Sequence, residues 1–467
     1  MNKIMLNAIQ VVCILLALIT TVKADASELY LPQSLLDSEM NILAAQLANH
    51  KVDENDDNGS FVLQLMDQKF AKAKVSLGKI LQSKQNATGW QDTLFFAYNI
   101  YLQALLSSQN DHDIDFEQAY VQAFNAGFEP LDAKRAQQLF SAYNYSLSQG
   151  ESWTNDLLDK LKKQPVISTQ EGLELLKRYQ PYMIFQKVLP LAAKLIEQYQ
   201  NSRYIIKKDV LIKTKHGATL SAVVVRTKNM TSPHPTALQF NIYADVKNNV
   251  NSAIDAANHG YVGVVADTRG KRLSPDDIVP YEHDAKDVNE VIDWISKQSF
   301  SDGRVAMHGG SYLGFTQWAA TKYMHPALKT IVPSVANNPM QGLPMENNIF
   351  ITANIQWPFY VTNNKTLDNI ANNDWNRWQN ARDEWYKSGQ SYRDFDKVEG
   401  TPNPWLQKWL THPSHDDYWQ QMGPYKNEYA KINIPVLSIN GYYDDGHISS
   451  LDYLNKHMKY NKNAEHY

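Results

Sequence analysis

The residues with the clearest chemical potential are a serine and the glycines around it. Ser311 stands in His308-Gly-Gly-Ser-Tyr-Leu-Gly, after the short apolar run 305–307 and before a helical pattern through Phe315 and Trp318. Glycines two residues before and three residues after a serine allow a strand to turn sharply into a helix. A hydroxyl exposed at such a bend can attack an acyl carbon once a base takes its proton. Because glycine and serine also gather in ordinary tight turns, a plain strand-to-helix turn is the alternative interpretation.

The elements that would position this serine are strands alternating with helices from about residue 202. A hairpin is predicted for 204–214 and 219–226, where apolar and polar residues alternate around His216-Gly217. Runs typical of strands buried on both faces follow at 237–242, 262–266, 305–307, 330–335 and 435–439. Helical patterns lie between them at 248–258, 283–298 and 311–324. This alternation predicts a doubly wound parallel sheet, with active-site groups at the carboxyl ends of its strands.

Four segments follow predicted strands and become candidates for that edge. They are Tyr243, Asp267-Thr-Arg-Gly, Ser311 and Gly441-Tyr-Tyr-Asp-Asp-Gly. With a serine at the bend, the expected fold class is α/β, specifically the α/β-hydrolase fold with its nucleophile elbow. The usual pentapeptide has its second glycine two residues after the serine, whereas here Leu313 holds that place and Gly314 follows.

These motifs, in this order, resemble the X-Pro dipeptidyl-peptidase-like serine hydrolases, the CocE/NonD-type class that includes cocaine esterase, α-amino-acid ester hydrolases and glutaryl acylases. The resemblance covers about residues 202–467 and includes the run Ile295-Ser-Lys-Gln-Ser-Phe-Ser-Asp-Gly-Arg-Val before the elbow. It implies cleavage of an ester or amide through an acyl-enzyme on Ser311. No cofactor and no metal are implied.

Roles for the other residues follow from geometry and from this resemblance. An oxyanion needs donors fixed in advance, and the N–H of Tyr312, in the first turn of the nucleophile helix, is one by geometry. The resemblance implies that the Tyr243 hydroxyl is the second donor and that Asp444 is the acid of the triad, with Asp445 as the neighbouring alternative. Arg269 is interpreted as structural.

The catalytic histidine is missing from its expected place. A triad in the order Ser, Asp, His needs a histidine after Asp444, and the candidates are His447, His457 and His466. In the family the base follows one more strand, and a β-sandwich domain comes later; neither is recognisable here. We therefore expect a fragment or truncated product, incomplete at its C-terminus and inactive or nearly so by itself. His308 is interpreted as a packed residue behind the nucleophile.

An insertion at about 337–432 is predicted to form a helical cap that selects substrate. Most of its seven tryptophans are expected in the core. Glu346 is the candidate for binding a substrate amino group, although amides at Asn347 and Asn348 stand where further acids would be expected. The polar segment 412–417 is interpreted as a loop, not as a metal site.

The first half is helical by pattern, and 25–200 is predicted to be an all-α domain before the hydrolase domain at 201–467. Helical candidates are 92–106, 116–126, 131–147, 153–161 and 169–198. Its aromatic residues, including Phe95, Tyr98 and Tyr145, are expected to be core and not a binding surface.

Residues 1–24 are interpreted as a cleaved signal peptide, with Lys3 before an apolar stretch that is too short to span a membrane. Export to the periplasm or medium follows. Cys13, the only cysteine, lies in this segment, so the mature chain would contain no thiol. A net charge of -4 gives no reason to expect nucleic acid, and the expected partner is a small-molecule or peptide substrate. The oligomeric state is left open.

A rival interpretation is a non-catalytic binding or interaction protein on a hydrolase fold. In that case Ser311 would be unreactive.

Overall fold

The computed structural model describes residues 29–49, 56–84, 89–111 and 113–467. The predicted signal peptide and Cys13 lie outside these residues. The chain divides into two compact units, one up to Tyr199 and one from Gln200 to Tyr467. No helix within the described ranges is both long enough and apolar enough to cross a membrane.

The first unit is a helical bundle. Its helices are α1 (Asp37–Leu47), α2 (Asp57–Met66), α3 (Phe70–Ser83), α4 (Trp90–Asn110), α5 (Phe116–Phe128), α6 (Ala133–Phe140), a 3-10 turn (Ser141–Asn144), α7 (Leu147–Leu161) and α8 (Thr169–Arg203), which runs into the second unit. Side chains at Asp56, Asp115, Asp132 and Ser146 accept main-chain N–H groups and begin four of them. The predicted helices are confirmed here, except that the pattern at 131–147 splits into α6 and the 3-10 turn.

The core of this bundle is aromatic. One cluster of buried side chains contains five large aromatic rings, those of Tyr120, Phe124, Phe128, Phe140 and Phe185. Burial of the large apolar rings is what holds short amphipathic helices together in water.

The second unit is built on one sheet. Its elements are β1 (Tyr204–Lys213), β2 (Thr219–Thr227), β3 (His234–Asn241), α9 (Val246–Asn258), β4 (Val262–Asp267), α10 (Asp284–Ser296), β5 (Ser301–Gly310), α11 (Tyr312–Thr321), β6 (Leu328–Ser334), β7 (Met345–Glu346), β8 (Ile349–Phe350), α12 (Trp357–Thr362), α13 (Asn369–Asn373), α14 (Trp375–Ser388), α15 (Phe395–Glu399), α16 (Pro404–Leu410), α17 (Asp417–Gln420) and α18 (His447–Tyr460).

The strands are ordered β1-β2-β4-β3-β5-β6. The hairpin β1–β2 is antiparallel and joins β4 antiparallel, while β4, β3, β5 and β6 run parallel. The predicted strand at 435–439 continues this edge through single parallel bridges to Ile331 and Ser334, and Val436 in turn bridges to His466. This is the α/β-hydrolase fold, with a sheet that is mixed because its first hairpin is antiparallel.

Alternate side chains of the strands pack into two hydrophobic cores, one on each face of the sheet. Val224, Val264 and Leu238 face the stripe Val288, Val291, Ile292 and Ile295 of α10, together with Trp318 of α11. Val223, Val225 and Val265 face the opposite layer, with Ala253 and Ile254 of α9. Strands covered on both faces leave only their ends accessible, so a site must form at the carboxyl edge.

The segment between β6 and residue 432 contains the β7–β8 pair and helices α12 to α17. Of the tryptophans expected in its core, Trp378, Trp409 and Trp419 are buried, whereas Trp375 is 70% exposed. Two lysines tie this segment to the loop after β4: the buried Lys271 ammonium donates to the carbonyls of Val361, Asn364 and Thr366, and Lys365 donates to that of Ser274.

Candidate active site

Ser311 occupies the bend between β5 and α11, with φ 57° and ψ -118°. A non-glycine residue held there stores roughly 1–3 kcal/mol of backbone strain, which surrounding contacts must offset. Its N–H donates to the Ser334 carbonyl at 3.0 Å, and its carbonyl accepts the Asn337 N–H at 3.0 Å. The residue itself is exposed. This is the geometry of a nucleophile elbow.

The two glycines near the serine are required by close packing. Gly309 has φ +130°, and a Cβ there would lie 2.8 Å from the Leu313 Cβ. A Cβ at Gly314 would lie 2.6 Å from the Cα of Ala336. Distances this short exclude any side chain, so the shifted glycine spacing of this sequence still builds the bend.

Gln317 fastens the elbow to the sheet, a role that sequence reasoning missed. Its fully buried amide donates to the carbonyls of Gly309 and Leu313 at 2.9 Å each, and its Oε1 accepts the Val332 N–H at 2.8 Å. One side chain therefore joins β5, α11 and β6. A glutamine inside an apolar helical stretch was the available signal, because such a residue needs buried partners.

Tyr243 follows β3, and its hydroxyl lies beside the nucleophile. That hydroxyl accepts the Trp357 Nε1–H at 3.2 Å, and the Ser311 side chain lies near it. Burial raises the pKa of Tyr243, and the interactions with Trp357 and Ser311 act in the opposite direction. The phenol is neutral at physiological pH, so it can donate to an oxyanion formed at Ser311.

A chain of buried polar side chains fixes the main chain at Tyr243. Asp267 accepts the Asn249 amide at 2.7 Å, Asn241 reaches Asn249 at 3.5 Å, and Asn241 Oδ1 accepts the Tyr243 N–H at 2.8 Å. Ser221 also donates to Asp267. Asp267, one of the strand-end candidates, is completely buried and supports the site from behind.

The main chain and the side chain of Tyr312 have different roles. As the first residue of α11, directly after Ser311, its N–H has no carbonyl partner within its own helix. Its side chain points away: the hydroxyl donates to Asp284 Oδ2 and accepts the Tyr281 N–H at 2.8 Å. Burial raises the pKa of Asp284 to about 7, against the lowering effect of the Tyr312 hydrogen bond.

Asp444 lies in an exposed loop after the edge segment 435–439. Its Oδ1 accepts the Gly446 N–H at 2.8 Å, and Gly446 packs closely on Val335, next to the carbonyl that binds the Ser311 N–H. The acid therefore lies at the carboxyl edge, as expected. Asp445 is exposed beside it.

No imidazole of the described residues contacts the Asp444 carboxylate. His447 Nδ1 bonds instead to the main-chain oxygen of Asp444. His466 pairs with His457 at 3.2 Å and with Ser438 at 2.7 Å, under the ring of Trp318. Burial lowers the pKa of His466 to about 4, which makes it a weak base. His308 contacts Gln239 behind the elbow at 3.4 Å.

The remaining predicted residues lie around this centre. Glu346 ends β7, is partly exposed, and its carboxylate makes no hydrogen bond or ion pair within the described residues. Arg269 forms a bidentate ion pair with Asp287, at 2.7 and 3.0 Å, and so has a structural role. His412 pairs with Asp416 at 2.7 Å, and no described group of three metal-ligating side chains is found.

The cap supplies a residue that sequence reasoning placed only among core candidates. Trp357 stacks on Tyr281 at 5.6 Å while donating to Tyr243. Tyr281, with φ +71°, also contacts Tyr312 at 5.0 Å. These rings form an aromatic wall beside the nucleophile.

Comparison with known proteins places the chain in a family. A family model described as X-Pro dipeptidyl-peptidase (S15 family) matches residues 216–464, just over half of the chain. Over 150 residues the chain is 31% identical to a cocaine esterase from Rhodococcus sp. (strain MB1 Bresler), covering 31% of this chain and 26% of that protein.

Two solved structures that match part of the chain are an α-amino acid ester hydrolase and a CocE/NonD family hydrolase from Staphylococcus aureus. The first is 24% identical with a TM-score of 0.42, covering 54% of this chain and 47% of that one. The second is 22% identical with a TM-score of 0.36, covering 50% and 40%. The match thus spans about a quarter of the esterase and less than half of each solved chain.

Proposed function

Since the chain belongs to the X-Pro dipeptidyl-peptidase (S15) family, we propose that it is a serine hydrolase that cleaves an ester or an amide through an acyl-enzyme on Ser311. The observation that carries the proposal is the exposed Ser311 in its strained bend, with the Tyr243 hydroxyl near its side chain. The relatives act on an ester or an X-Pro dipeptide according to their names, and both substrate types present the same acyl carbon.

In the proposed reaction the Ser311 oxygen attacks that carbon while a base takes its proton. The carbonyl oxygen becomes an oxyanion and receives hydrogen bonds from the Tyr243 hydroxyl and the Tyr312 N–H. Collapse expels the alcohol or amine and leaves an ester on Ser311, which water then hydrolyses. Asp444 is the proposed triad acid because its loop contacts Val335, at the same sheet edge.

We assign no base among the residues that the structure describes. His457 and His466 are engaged with each other below Trp318, and the His447 ring binds a main-chain oxygen. This chain by itself is therefore expected to turn over substrate slowly, and an added base should accelerate it.

A fluorophosphonate probe tests the proposal because it forms a covalent bond only with a reactive serine. We expect Ser311 to be labelled, the labelling rate to rise with added imidazole, and Ser311→Ala to abolish it. Ser438→Ala is the control, since that hydroxyl bonds to His466 away from the elbow. Equal labelling of wild type and Ser311→Ala at every imidazole concentration would contradict the proposal.

The same experiment decides between this proposal and a non-catalytic binding protein on the same fold. The observation that favours this alternative is that no imidazole of the described residues hydrogen-bonds the Asp444 carboxylate. It predicts no labelling of Ser311 even at high imidazole concentration.

For substrate choice we propose that Glu346 binds the free amino group of a dipeptidyl-type or amino-acid substrate. Its partly exposed carboxylate has no partner in the described chain. Glu346→Gln should raise KM several-fold for a substrate with a free α-amino group and leave KM for its N-acetylated analogue unchanged. An equal change for both substrates would exclude this role.

We also propose export, with cleavage before Asp25. Sequencing the amino terminus of the protein recovered from the periplasm or medium tests this. A protein retained in the cytoplasm with Met1 still present would exclude it.

A further inference from the structure

The helical unit contains a cavity of about 850 Å³, formed by α2, α3, α4, α7 and α8. The family match begins at residue 216 and does not include it. Cavities of roughly 300–1,000 Å³ are the size that holds small organic ligands. All of its described lining residues lie between Asp57 and Pro181, so the cavity belongs to this unit alone.

Aromatic rings form one wall of this cavity, and Phe95, Tyr98 and Tyr145 also belong to the core of the bundle, as predicted. Phe95, Tyr98, Tyr145 and Trp153 line it, and Trp153 is 55% exposed. Tyr145 stacks on Phe185 behind it at 4.9 Å and lies so close to Gly150 that a Cβ there would overlap its hydroxyl. Such a wall suits a flat apolar group.

One polar residue of the lining, Gln180, has an amide nitrogen without a partner in the described part of the chain. Gln180 is only 2% exposed, and its Nε2 makes no hydrogen bond within the described residues. A buried donor of this kind is costly unless something accepts from it. A ligand carbonyl entering the cavity would do so.

The helix that carries this donor also contains a carbonyl without its usual helical partner. Pro181 has no N–H, so α8 cannot complete its usual bond to the carbonyl of Lys177, four residues earlier. Lys177 and Pro181 both line the cavity. A donor and an acceptor one turn apart are complementary to the C=O and N–H of an amide.

The charges of the lining argue for a neutral ligand. Three acidic residues (Asp57, Asp92 and Glu174) and three basic residues (Lys84, Lys177 and Arg178) contribute to it. Each base already has a carboxylate partner: Lys84 pairs with Asp92, Lys177 with Asp56 at 2.7 Å, and Arg178 with Glu174 at 3.0 Å. A ligand anion would have to displace one of these partners.

We propose that this cavity is a binding site for a neutral amide that carries an aromatic group, such as a blocked aromatic amino acid or a short uncharged peptide. The ring packs on the Tyr98, Tyr145 and Trp153 side of the cavity. The amide pairs with Gln180 and with the carbonyl freed by Pro181.

The probe is N-acetyl-L-phenylalaninamide, titrated by calorimetry into the whole protein carrying Ser311→Ala, so that hydrolysis cannot consume the ligand. We expect saturable binding with one site. Gln180→Leu, which keeps the bulk and removes the amide, should weaken it about tenfold, the loss expected for one buried hydrogen bond. Trp153→Ala should weaken it at least as much.

Gln186→Leu is the matched control, because Gln186 lies on the same helix, is exposed and does not line the cavity. Its affinity should stay within twofold of the parent. The far-ultraviolet circular dichroism of each variant shows whether the helices remain folded. No saturable binding, or binding that Gln180→Leu leaves within twofold, would overturn the proposal; the latter result would place the ligand elsewhere.

Discussion

The two sides of the proposed active site are supported very differently. On the nucleophile side, Ser311 and Tyr243 are fixed by buried side chains: Gln317 joins three elements, and Asn241 holds the Tyr243 main chain. On the acid side, Asp444 is exposed and its carboxylate accepts a single N–H from its own loop. Preorganisation therefore resides in the half of the site that must hold strain and stabilise charge.

This difference has a physical reason. A serine at φ 57° and an oxyanion donor both lose their function if they relax by a fraction of an ångström, so each needs independent contacts that oppose relaxation. A carboxylate that orients an imidazole acquires much of its order from that imidazole. Breaking the nucleophile side should thus cost both stability and reactivity, while changes at the acid should cost reactivity alone.

The largest expected effect is that of Tyr243→Phe. Loss of one oxyanion donor typically costs about 3 kcal/mol of transition-state stabilisation, or a factor of about 10² to 10³ in rate. The rate of Ser311 labelling, measured at fixed imidazole concentration, should fall accordingly while the fold is retained. Tyr360→Phe is the control, because it removes a second tyrosine hydroxyl from a ring whose centre lies 6.1 Å from that of Tyr243. A change of less than threefold for Tyr243→Phe would remove the hydroxyl from the mechanism.

Gln317→Leu should be nearly as costly, but in stability. It leaves the buried Gly309 carbonyl and Val332 N–H without their side-chain partner, so we expect a loss of about 2 to 3 kcal/mol in the free energy of unfolding. Urea unfolding followed by tryptophan fluorescence reports on this unit, since nine of the 11 tryptophans follow residue 200. Gln379→Leu, on the exposed face of α14, should remain within about 0.5 kcal/mol of wild type. Equal losses for the two variants would show that Gln317 does not fasten the elbow.

Much of the nucleophile side could be predicted from the sequence, and the rest could not, for a specific reason. Ser311, Gly309 and Gly314 act through local backbone geometry, which residue spacing records directly. The hairpin and the parallel strands were also predictable, because their patterns are local. The prediction made β5 too short at both ends, because Ser301 pairs with β3 and residues 308–310 pair with β6 although none of them is apolar in pattern.

The supporting residues depend on which strands become neighbours. Asn241 and Asn249 lie near Asp267 only because β3 and β4 are neighbouring strands. Trp357, which donates to the Tyr243 hydroxyl, is 114 residues away from it in the sequence. Asp267 was grouped with the candidate site residues because it follows a strand. The sequence could not show that Ser221, from β2, would enclose it in the interior.

The third prediction concerns Asp284, behind the oxyanion donor. Burial raises its pKa to about 7 from an ordinary value near 3.8, so the folded state holds a proton that the unfolded state releases. Its stabilising contribution is full at acidic pH and is lost as pH rises through 7. Asp284→Asn cannot ionise, so its stability relative to wild type should increase by on the order of 2 kcal/mol between pH 5 and pH 8.

Unfolding curves for both proteins at pH 5, 6, 7 and 8 measure this difference. Asp255→Asn, at an exposed position on α9, is the control for replacing a carboxylate by an amide. A constant gap between Asp284→Asn and wild type would mean that Asp284 is ionised throughout this range, paired with Tyr312 as a carboxylate.

The smallest expected effect on stability is that of Asp444→Ala, which tests the difference between the nucleophile side and the acid side. Asp444→Ala removes an exposed carboxylate whose only hydrogen bond among the described residues is to Gly446, so the free energy of unfolding should change by less than about 0.5 kcal/mol. The triad acid orients and stabilises the protonated base. The rate of Ser311 labelling in the presence of imidazole should therefore fall in Asp444→Ala. Asp445→Ala, at the adjacent exposed position, should change neither quantity. If Asp444→Ala instead destabilised the protein as much as Gln317→Leu, its loop would be a structural support of the sheet edge, and the division between a rigid nucleophile side and a compliant acid side would be wrong.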